Sequence, residues 1–251
     1  VMHEIGQPLH AFDLDKIENI TVKSLKSGTK FKTLDESEIK LNNEDLMICS
    51  NSEPLCLAGI YGGINSGVSK STNSLFLESA IFNSVTIRKS SKRHQLFTDA
   101  SYRYERGVDP NKVVYALKRA ALLIKEINPE CHISEIIVED NLKKEIKDVY
   151  LRYDRIKKIS GQIIDKEIVI QILTSLDFEI KGHSDDGINL IAPDYRLDVF
   201  REIDVIEEIL RVFGFDNINI DNKISMSIPN NSDNKDFKIE SIISNQLVGI
   251  G

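Results

Sequence analysis

The sequence predicts an α+β protein, with a mixed, mostly antiparallel sheet domain flanked by helices and then a small winged-helix-like α+β domain. Between residues 17 and 78, short runs of strand-forming residues alternate with Ser-Gly, Asn-Asn and Gly-Gly turn signals. After Ser79 the apolar residues recur at helical spacing, and a second series of strands and helices begins near residue 148. We therefore expect one domain at residues 1–145, another at 147–220, and a linker with the start of a further domain at 221–251.

The strands of the first domain are predicted from five runs, which are ITVKSL, FKTL, LMICS, PLCLAGI and SLFLES. The clearest helix is DPNKVVYALKRAALLIKEINP, in which Asp109 is a natural N-cap, Pro110 fits the first turn and Pro129 ends the helix. The run ISEIIVED (133–140) has the composition of one more strand, and the charged stretch 141–148 is the best position for a domain boundary.

The second domain has the element order β-α-α-β-β-α. Its elements are the strand DVYLRY, the helix RIKKIS ended by Gly161, the helix KEIVIQILTSL, the strands FEIKG and INLIAP, and a helix that ends at Phe213. Helices followed by a two-stranded ribbon are typical of a winged-helix-like module, although many small α+β domains share this order. After Asn222 the composition predicts a linker, and FKIESIISNQLVGIG then begins an amphipathic helix, as expected for a fragment of a longer protein.

The composition is that of an ordinary globular protein, with 41% apolar and 28% charged residues in a chain of 251. No run approaches the ~18 consecutive apolar residues of a membrane-spanning helix, and the first residues lack the basic and then apolar order of a signal peptide. We therefore expect a cytoplasmic protein with no membrane partner. Cys49, Cys56 and Cys131 form no C-x-x-C pair and have apolar neighbours, so free and buried thiols are expected.

The charge pattern limits nucleic-acid binding to one segment. A formal net charge of −7 argues against indiscriminate binding to phosphates. Between residues 88 and 106, however, six basic residues stand against two acidic ones. This basic segment is where phosphate contacts are expected, unless some of its arginines only pair with Asp99 and Glu105.

Two motifs that resemble binding sites fail on their spacing. His3 and His10 are seven residues apart with Gly6 and Pro8 between them, which excludes the helical H-E-x-x-H zinc site. Residues 59–67 (GIYGGINSG) contain neither G-K-[ST] nor G-x-G-x-x-G, so a nucleotide site is not favoured. These glycines are instead predicted to let the backbone approach a neighbouring strand or a ligand. A lone histidine is usually structural, so His10 is a candidate functional residue only if it faces a pocket.

Acidic residues form two further candidate sites, one for a ligand and one for a cation. Glu78 ends the apolar strand SLFLES, where its carboxylate could line a hydrophobic cavity; the alternatives are that it caps the next helix or lies in solvent. Four carboxylates near the last helix of the second domain could gather a hard cation, unless the first caps that helix and Glu207 only pairs with Arg211. These four are Asp198, Asp204, Glu207 and Glu208.

Four longer motifs carry more information than these single residues. They are GQPLHAFD (6–13), LAGIYGG (57–63), FTDASYRYERGVDP (97–110) and APDYRLDVFREIDVIEEILRVFGFDNI (192–218). Together, and in this order, they resemble the bacterial phenylalanyl-tRNA synthetase β-subunit family. The resemblance implies that residues 1–145 are an editing domain that hydrolyses tyrosine wrongly esterified to tRNA(Phe). It also implies an α2β2 enzyme whose ATP-dependent synthetic site lies on the α subunit.

The resemblance assigns roles to individual residues. His10 and Thr98 match the positions nearest to the hydrolytic chemistry, while Gly62, Glu78 and Ala100 match the pocket that binds the amino acid, part of which lies upstream of residue 1. We expect Glu78 to bind the tyrosine hydroxyl, so that phenylalanine leaves it unpaired. The magnesium ligands, completed with the α subunit, fall on Asp198, Asp204, Glu207 and Glu208. The charge of the basic segment, rather than the resemblance, supplies the candidates for contacts with the tRNA, which are Arg88, Lys92, Arg93, Arg103 and Arg106.

The competing interpretation is a non-catalytic tRNA-binding or subunit-scaffolding module that is inactive as an isolated fragment. Residues 194–208 carry six acidic residues against two arginines, and these would repel phosphates. For the second domain a scaffolding role is therefore favoured over direct contact with nucleic acid.

Overall fold

The computed structural model describes residues 1–142, 146–219 and 235–251. Within these ranges the protein is α+β and its strands pair antiparallel, as predicted. The linker predicted after Asn222 lies outside the described residues up to 234, as does part of the boundary predicted at 141–148. No helix in the described ranges is long and apolar enough to cross a membrane.

The strands of the first part are β1 (Leu9–Asp13), β2 (Ile20–Ser24), β3 (Lys30–Lys32), β4 (Glu38–Lys40), β5 (Leu46–Ser50), β6 (Glu53–Leu57), β7 (Tyr61–Gly62) and β8 (Leu75–Ser79). Five of them coincide with the five predicted runs. A four-stranded sheet has the order β2-β5-β6-β7, while β1 pairs with β8 and β3 with β4 in separate two-stranded ribbons. The β1–β8 ribbon joins residues that are distant in the sequence, and it carries two of the predicted site residues.

The helices of the first part follow the strands. They are α1 (Met2–Ile5), α2 (Ser84–His94), α3 (Asp99–Tyr104) and α4 (Lys112–Ile127). Helix α2 begins because the side chain of Asn83 accepts a hydrogen bond from the Thr86 N–H, and α3 begins with a capping box between Thr98 and Ser101. The hydrophobic core lies between the sheet and these helices, and Met47 and Leu57 are fully buried in it.

Helix α4 begins later than predicted, so the assignment of Asp109 as its N-cap is wrong. Its first residue is Lys112 and the N-cap position is held by Asn111, which makes no side-chain capping bond. The Asp109 carboxylate instead accepts a hydrogen bond from the Asn111 N–H at 2.9 Å. A short Asp side chain can close a turn as readily as it caps a helix, and here the turn forms before the helix.

The strand predicted at 133–140 is also wrong, because the structure assigns no strand to these residues. The segment pairs with no strand in the described part of the chain. Apart from the half-buried Ile136, its side chains lie in solvent, and Ile137 is 93% exposed. Strand-forming composition gives a strand only where a second backbone supplies hydrogen bonds, and that condition is not met here.

The second part has the predicted order β-α-α-β-β-α. Its elements are β9 (Asp148–Arg152), α5 (Tyr153–Ser160), α6 (Lys166–Ser175), β10 (Glu179–His183), β11 (Gly187–Ile191) and α7 (Glu202–Phe213). The three strands form one sheet in the order β10-β11-β9. This part has its own hydrophobic core, in which Leu151, Leu173 and Ile206 are fully buried.

The ends of the helices in the second part follow local rules. Helix α5 ends at Gly161 in the left-handed conformation, as predicted, and Asp165 caps α6. Helix α7 is preceded by Arg201, and Asp204 closes its capping box, so Asp198 is not the N-cap. A last helix, α8 (Lys235–Ile250), confirms the predicted helix near the end of the sequence.

Candidate functional site

Two adjoining cavities lie between β1, β8, the turn that joins β6 to β7, and the start of α3. The inner cavity has a volume of about 50 Å³ and includes Cys56, Gly59, Glu78 and Tyr104 in its wall. The outer cavity has a volume of about 500 Å³ and includes Thr98 and Asp99. Their shared wall is formed by Pro8, Leu9, His10, Ile60, Tyr61, Gly62 and Ala100. All five residues assigned to the editing pocket therefore line one or both cavities.

His10 and Glu78 are brought together by the β1–β8 ribbon, in which they are directly opposite each other. Residues opposite each other in an antiparallel pair project from the same face, so both side chains reach the cavity. The His10 ring packs edge-on against Phe12, with the ring centroids 4.4 Å apart. Burial lowers the pKa of His10, which favours a neutral imidazole at neutral pH.

Two glycines permit the close packing of rings around the cavities. A Cβ atom on Gly62 would lie 2.7 Å from Cε1 of His10 and 2.8 Å from Cδ1 of Leu34. A Cβ atom on Gly59, whose φ is +68°, would lie 2.8 Å from Cδ2 of Tyr104. The backbone can therefore approach these side chains only where the residue is glycine, in agreement with the prediction for residues 59–67.

Thr98 fixes the start of α3 against the sheet. Its hydroxyl donates a hydrogen bond to the Ile60 carbonyl at 3.0 Å and accepts one from the Ser101 N–H at 3.1 Å. The hydroxyl proton of Thr98 is thus already used in a hydrogen bond within the protein. One lone pair of the hydroxyl oxygen can still accept a further hydrogen bond. Ala100, in the first turn of α3, lines both cavities and leaves space that a larger side chain would fill.

Glu78 supplies the one carboxyl group among the residues that line the inner cavity. Burial raises the pKa of Glu78 to about 7. Burial also raises the pKa of the Cys56 thiol, and the nearby charge of Glu78 raises it further. The Glu78 carboxyl takes part in none of the side-chain hydrogen bonds or ion pairs found in the described residues. Asn83 caps the following helix, so Glu78 has no capping role.

Sequence reasoning did not find several residues of the wall, notably Cys56 and Tyr104. Tyr104 is buried, and its hydroxyl donates a hydrogen bond to the Pro8 carbonyl at 3.3 Å. A signal for Tyr104 was present, because it lies one helical turn after Ala100 and therefore on the same face of α3. For Cys56 the signal was weaker, since a small apolar residue in a strand is usually only part of the core.

The basic segment divides into residues with and without acidic partners. Arg93 pairs with Asp45 and Glu44, Arg103 with Asp99, and Arg106 with Glu105. The alternative that some of these arginines pair with Asp99 and Glu105 is therefore confirmed. Two exposed cations of α2 have no ion pair within 4.0 Å among the described residues, and these are Arg88 and Lys92.

The four carboxylates predicted to hold magnesium are not gathered into one site. Asp204 accepts hydrogen bonds from the Arg201 N–H and guanidinium, and Glu208 pairs with Arg211 and Arg196. Across the described ranges no three His, Cys, Asp or Glu side chains are close enough to hold a metal ion. As placed here, these residues do not fit a metal ion without other ligands.

Comparison with known proteins divides the chain in a similar way. Residues 1–129 match the family model described as the B3/4 domain, and residues 149–215 match the tRNA synthetase B5 domain. All of the chain aligns with the phenylalanine–tRNA ligase beta subunit of Bacteroides thetaiotaomicron at 41% identity, and with that of Porphyromonas gingivalis at 42%. The chain spans 31% of the length of each of these relatives.

A solved structure is also similar. It is an N-terminal fragment of the phenylalanyl-tRNA synthetase beta subunit from Pyrococcus horikoshii, with 16% identity, a TM-score of 0.41, and coverage of 82% of this chain and 59% of that one. The family-model and sequence matches cover both parts of the chain. This chain therefore belongs to the phenylalanine–tRNA ligase beta subunit family, of which it contains the B3/4 and B5 domains.

Proposed function

We propose that residues 1–145 form an editing domain that hydrolyses tyrosyl-tRNA(Phe), within an enzyme that ligates phenylalanine to tRNA(Phe) with ATP. The observation that carries the proposal is the position of Glu78, whose carboxyl group lines a small and largely apolar cavity. Tyrosine and phenylalanine differ by one hydroxyl group, and a pocket shaped for phenylalanine cannot strongly reject the hydroxyl. Some tyrosine is therefore attached to tRNA(Phe) by mistake. A second pocket that binds the tyrosine hydroxyl would select this product for hydrolysis.

The sizes of the two cavities suit the binding of different parts of a tyrosyl ester. The inner cavity, at about 50 Å³, has room for a hydroxyl group or one water molecule but not for an aromatic ring. The outer cavity, at about 500 Å³, has room for the ring and the ester. Tyrosine would place its hydroxyl beside Glu78, while phenylalanine would leave the buried carboxyl without a partner, which costs about 1–3 kcal/mol.

The hydrolysis itself needs a water molecule directed at the ester carbonyl carbon. Neutral His10 can accept the proton of this water as it attacks, and can return it to the ribose oxygen when the ester C–O bond breaks. Thr98 has a free lone pair but no free proton, so it serves by orienting the water rather than by donating to the oxyanion. No activated nucleophile of the Ser-His-Asp kind takes part in this scheme.

The second part of the chain is proposed to hold the β subunit against the α subunit of a cytoplasmic α2β2 enzyme. Its support is the match to the tRNA synthetase B5 domain and the acidic surface around α7. Magnesium at Asp198, Asp204, Glu207 and Glu208 would need ligands from the α subunit. It would also need Asp204 and Glu208 to exchange their arginine partners for the metal ion. The hydrolysis proposed above does not depend on this ion.

The test is single-turnover hydrolysis of Tyr-tRNA(Phe) and Phe-tRNA(Phe), with a blank that lacks protein. The wild-type chain should release tyrosine in preference to phenylalanine, and Glu78→Ala should reduce that preference at least tenfold because the hydroxyl loses its partner. Glu53→Ala, which removes an exposed glutamate of β6, is the matched control and should change nothing. A Glu78→Ala protein with unchanged preference would disprove the role of Glu78. A wild-type chain that releases no tyrosine would show that these residues do not suffice for editing.

A further inference from the structure

Phe97 is a large aromatic residue that the fold leaves in solvent, one residue before the wall of the outer cavity begins at Thr98. It is 72% exposed, and it directly precedes Thr98 and Asp99, which line that cavity. Its backbone position is fixed, because the Thr98 hydroxyl is bonded both to Ile60 and within the capping box of α3. The backbone of Phe97 is therefore held next to the cavity wall, and its ring is not part of the core.

The usual structural explanation for an apolar residue at this position does not apply. Phe97 precedes the N-cap Thr98, and a residue there often packs against the fourth residue of the helix, which here is Tyr102. Tyr102 is itself 56% exposed, and the Arg106 guanidinium lies 3.6 Å above its ring. No aromatic contact between Phe97 and Tyr102 is found in the described part of the chain. The face of the Phe97 ring is therefore available to a ligand.

The charges on the two helices that flank Phe97 in the chain favour a polyanion as that ligand. Helix α2 ends at His94, and its exposed residues Arg88 and Lys92 lie one turn apart without an ion-pair partner in the described ranges. Helix α3, which packs against α2, adds Arg103, although Asp99 partly offsets that charge. Exposed aromatic rings flanked by cations are the arrangement by which proteins bind single-stranded nucleic acid, through base stacking and phosphate contacts.

We propose that Phe97 stacks on the 3′-terminal base of the tRNA whose ester occupies the outer cavity, and that Lys92 and Arg88 contact the preceding phosphates. The inference rests on the proposed function, because that function places an ester of the terminal ribose in the cavity. The base on the same ribose must then lie within one nucleoside of the cavity opening, where Phe97 is the exposed aromatic ring that flanks Thr98. Stacking tolerates any base, so it supplies affinity and position rather than sequence specificity.

The test uses an RNA hairpin with an unpaired 3′ end, on which tyrosine is joined by a non-hydrolysable amide and the terminal base is 2-aminopurine. Stacking quenches the fluorescence of this base, so binding and stacking are measured together. Phe97→Leu keeps an apolar side chain without an aromatic face, and Phe97→Trp restores the face. Phe215→Leu, at a 62% exposed phenylalanine of the second part, is the matched control.

The wild type should bind and quench, Phe97→Leu should lose the quenching with a roughly tenfold higher Kd, and Phe97→Trp and Phe215→Leu should match the wild type. Unchanged quenching in Phe97→Leu, or no binding of the hairpin by the wild type, would overturn the proposal. A wild type that binds and quenches but releases no tyrosine from Tyr-tRNA(Phe) would support stacking while contradicting the proposed hydrolysis. Equal hydrolysis by wild type and Phe97→Leu at subsaturating tRNA would contradict stacking alone.

Discussion

The proposed role of Glu78 as a buried partner for the tyrosine hydroxyl lowers the stability of the folded protein. Folding moves its pKa from an ordinary value of 4.5 to about 7 because the cavity disfavours the charged form. Between these two pH values the folded protein keeps a proton that the unfolded chain releases. The free energy of unfolding must therefore fall as the pH rises through this window, by up to about 3 kcal/mol above pH 7.

Glu78→Gln should remove this cost, because glutamine does not titrate. We expect the variant to match the wild type closely near pH 4.5 and to exceed its unfolding free energy by up to about 3 kcal/mol at pH 8. Urea denaturation at a series of pH values measures the difference. His10 is present in both proteins, so its titration cancels. Glu53→Gln is the control, and a Glu78→Gln curve parallel to the wild-type curve at all pH values would show that Glu78 is not buried in this way.

At the residue scale, the side chains predicted for the editing pocket do line the cavities, but the sequence did not predict their surroundings. Glu78 had three possible environments in the sequence, because its surroundings depend on β1, which lies more than sixty residues earlier. His10 was a candidate only if it faced a pocket, and the β1–β8 register decides that. Contacts between distant strands are not encoded in local periodicity, so the sequence does not predict that Cys56 lines the cavity. The helical spacing of Ala100 and Tyr104 does place them on one face of α3, but it does not show that this face borders a cavity.

At the scale of elements, helix α2 is anchored to the sheet through one buried carboxylate. Asp45, in the turn before β5, accepts hydrogen bonds from the hydroxyl of Ser90 at 2.7 Å, from Arg93 at 2.5 Å and from the Asn42 N–H at 2.7 Å. The His94 ring nitrogen lies 2.6 Å from the same carboxylate. Burial by itself would raise the pKa of Asp45, but the interactions with Asn42, His94 and Ser90 outweigh it and hold the pKa below its ordinary value.

Asp45→Asn should therefore reduce the free energy of unfolding by about 3 kcal/mol at pH 7, because it leaves Arg93 and buried donors without their charged partner. The loss should shrink at low pH, where the wild-type carboxylate also becomes protonated. Glu44→Gln is a close control, since Glu44 pairs with the same Arg93 but lies in solvent, and we expect it to cost less than about 1 kcal/mol. Equal effects of the two changes in urea denaturation would refute the anchoring role.

The elements themselves were predicted well where local rules decide them. Gly161 ends α5 and the five strand runs coincide with strands, because caps and alternation are local properties. The two errors arose where local signals compete or need a partner. Asp109 closes a turn instead of capping α4, and residues 133–140 have strand-forming side chains without a neighbouring strand to pair with.

At the scale of the whole molecule, the described chain has two hydrophobic cores that share no residue. One contains Leu57 and belongs to the first part, and the other contains Leu173 and belongs to the second. A hydrogen bond between Asn111 and Asp194 links the two parts, but it is exposed and so adds little stability. The structure therefore favours two units that unfold separately, with the proposed boundary near residue 146.

Separate unfolding can be tested in the intact chain by one truncation in each core. Leu173→Ala should destabilise the second part by about 2–5 kcal/mol, and Leu57→Ala should do the same to the first part, because each leaves a cavity among fully buried neighbours. Hydrogen exchange followed by mass spectrometry along a urea series reports each segment separately. If the units are independent, each substitution shifts the exchange transition of its own part and leaves the other in place. If both substitutions move all segments together, the chain unfolds as one cooperative body. The cavity beside Glu78 would then share its stability with the second part, and any partner that binds the second part would also stabilise the cavity.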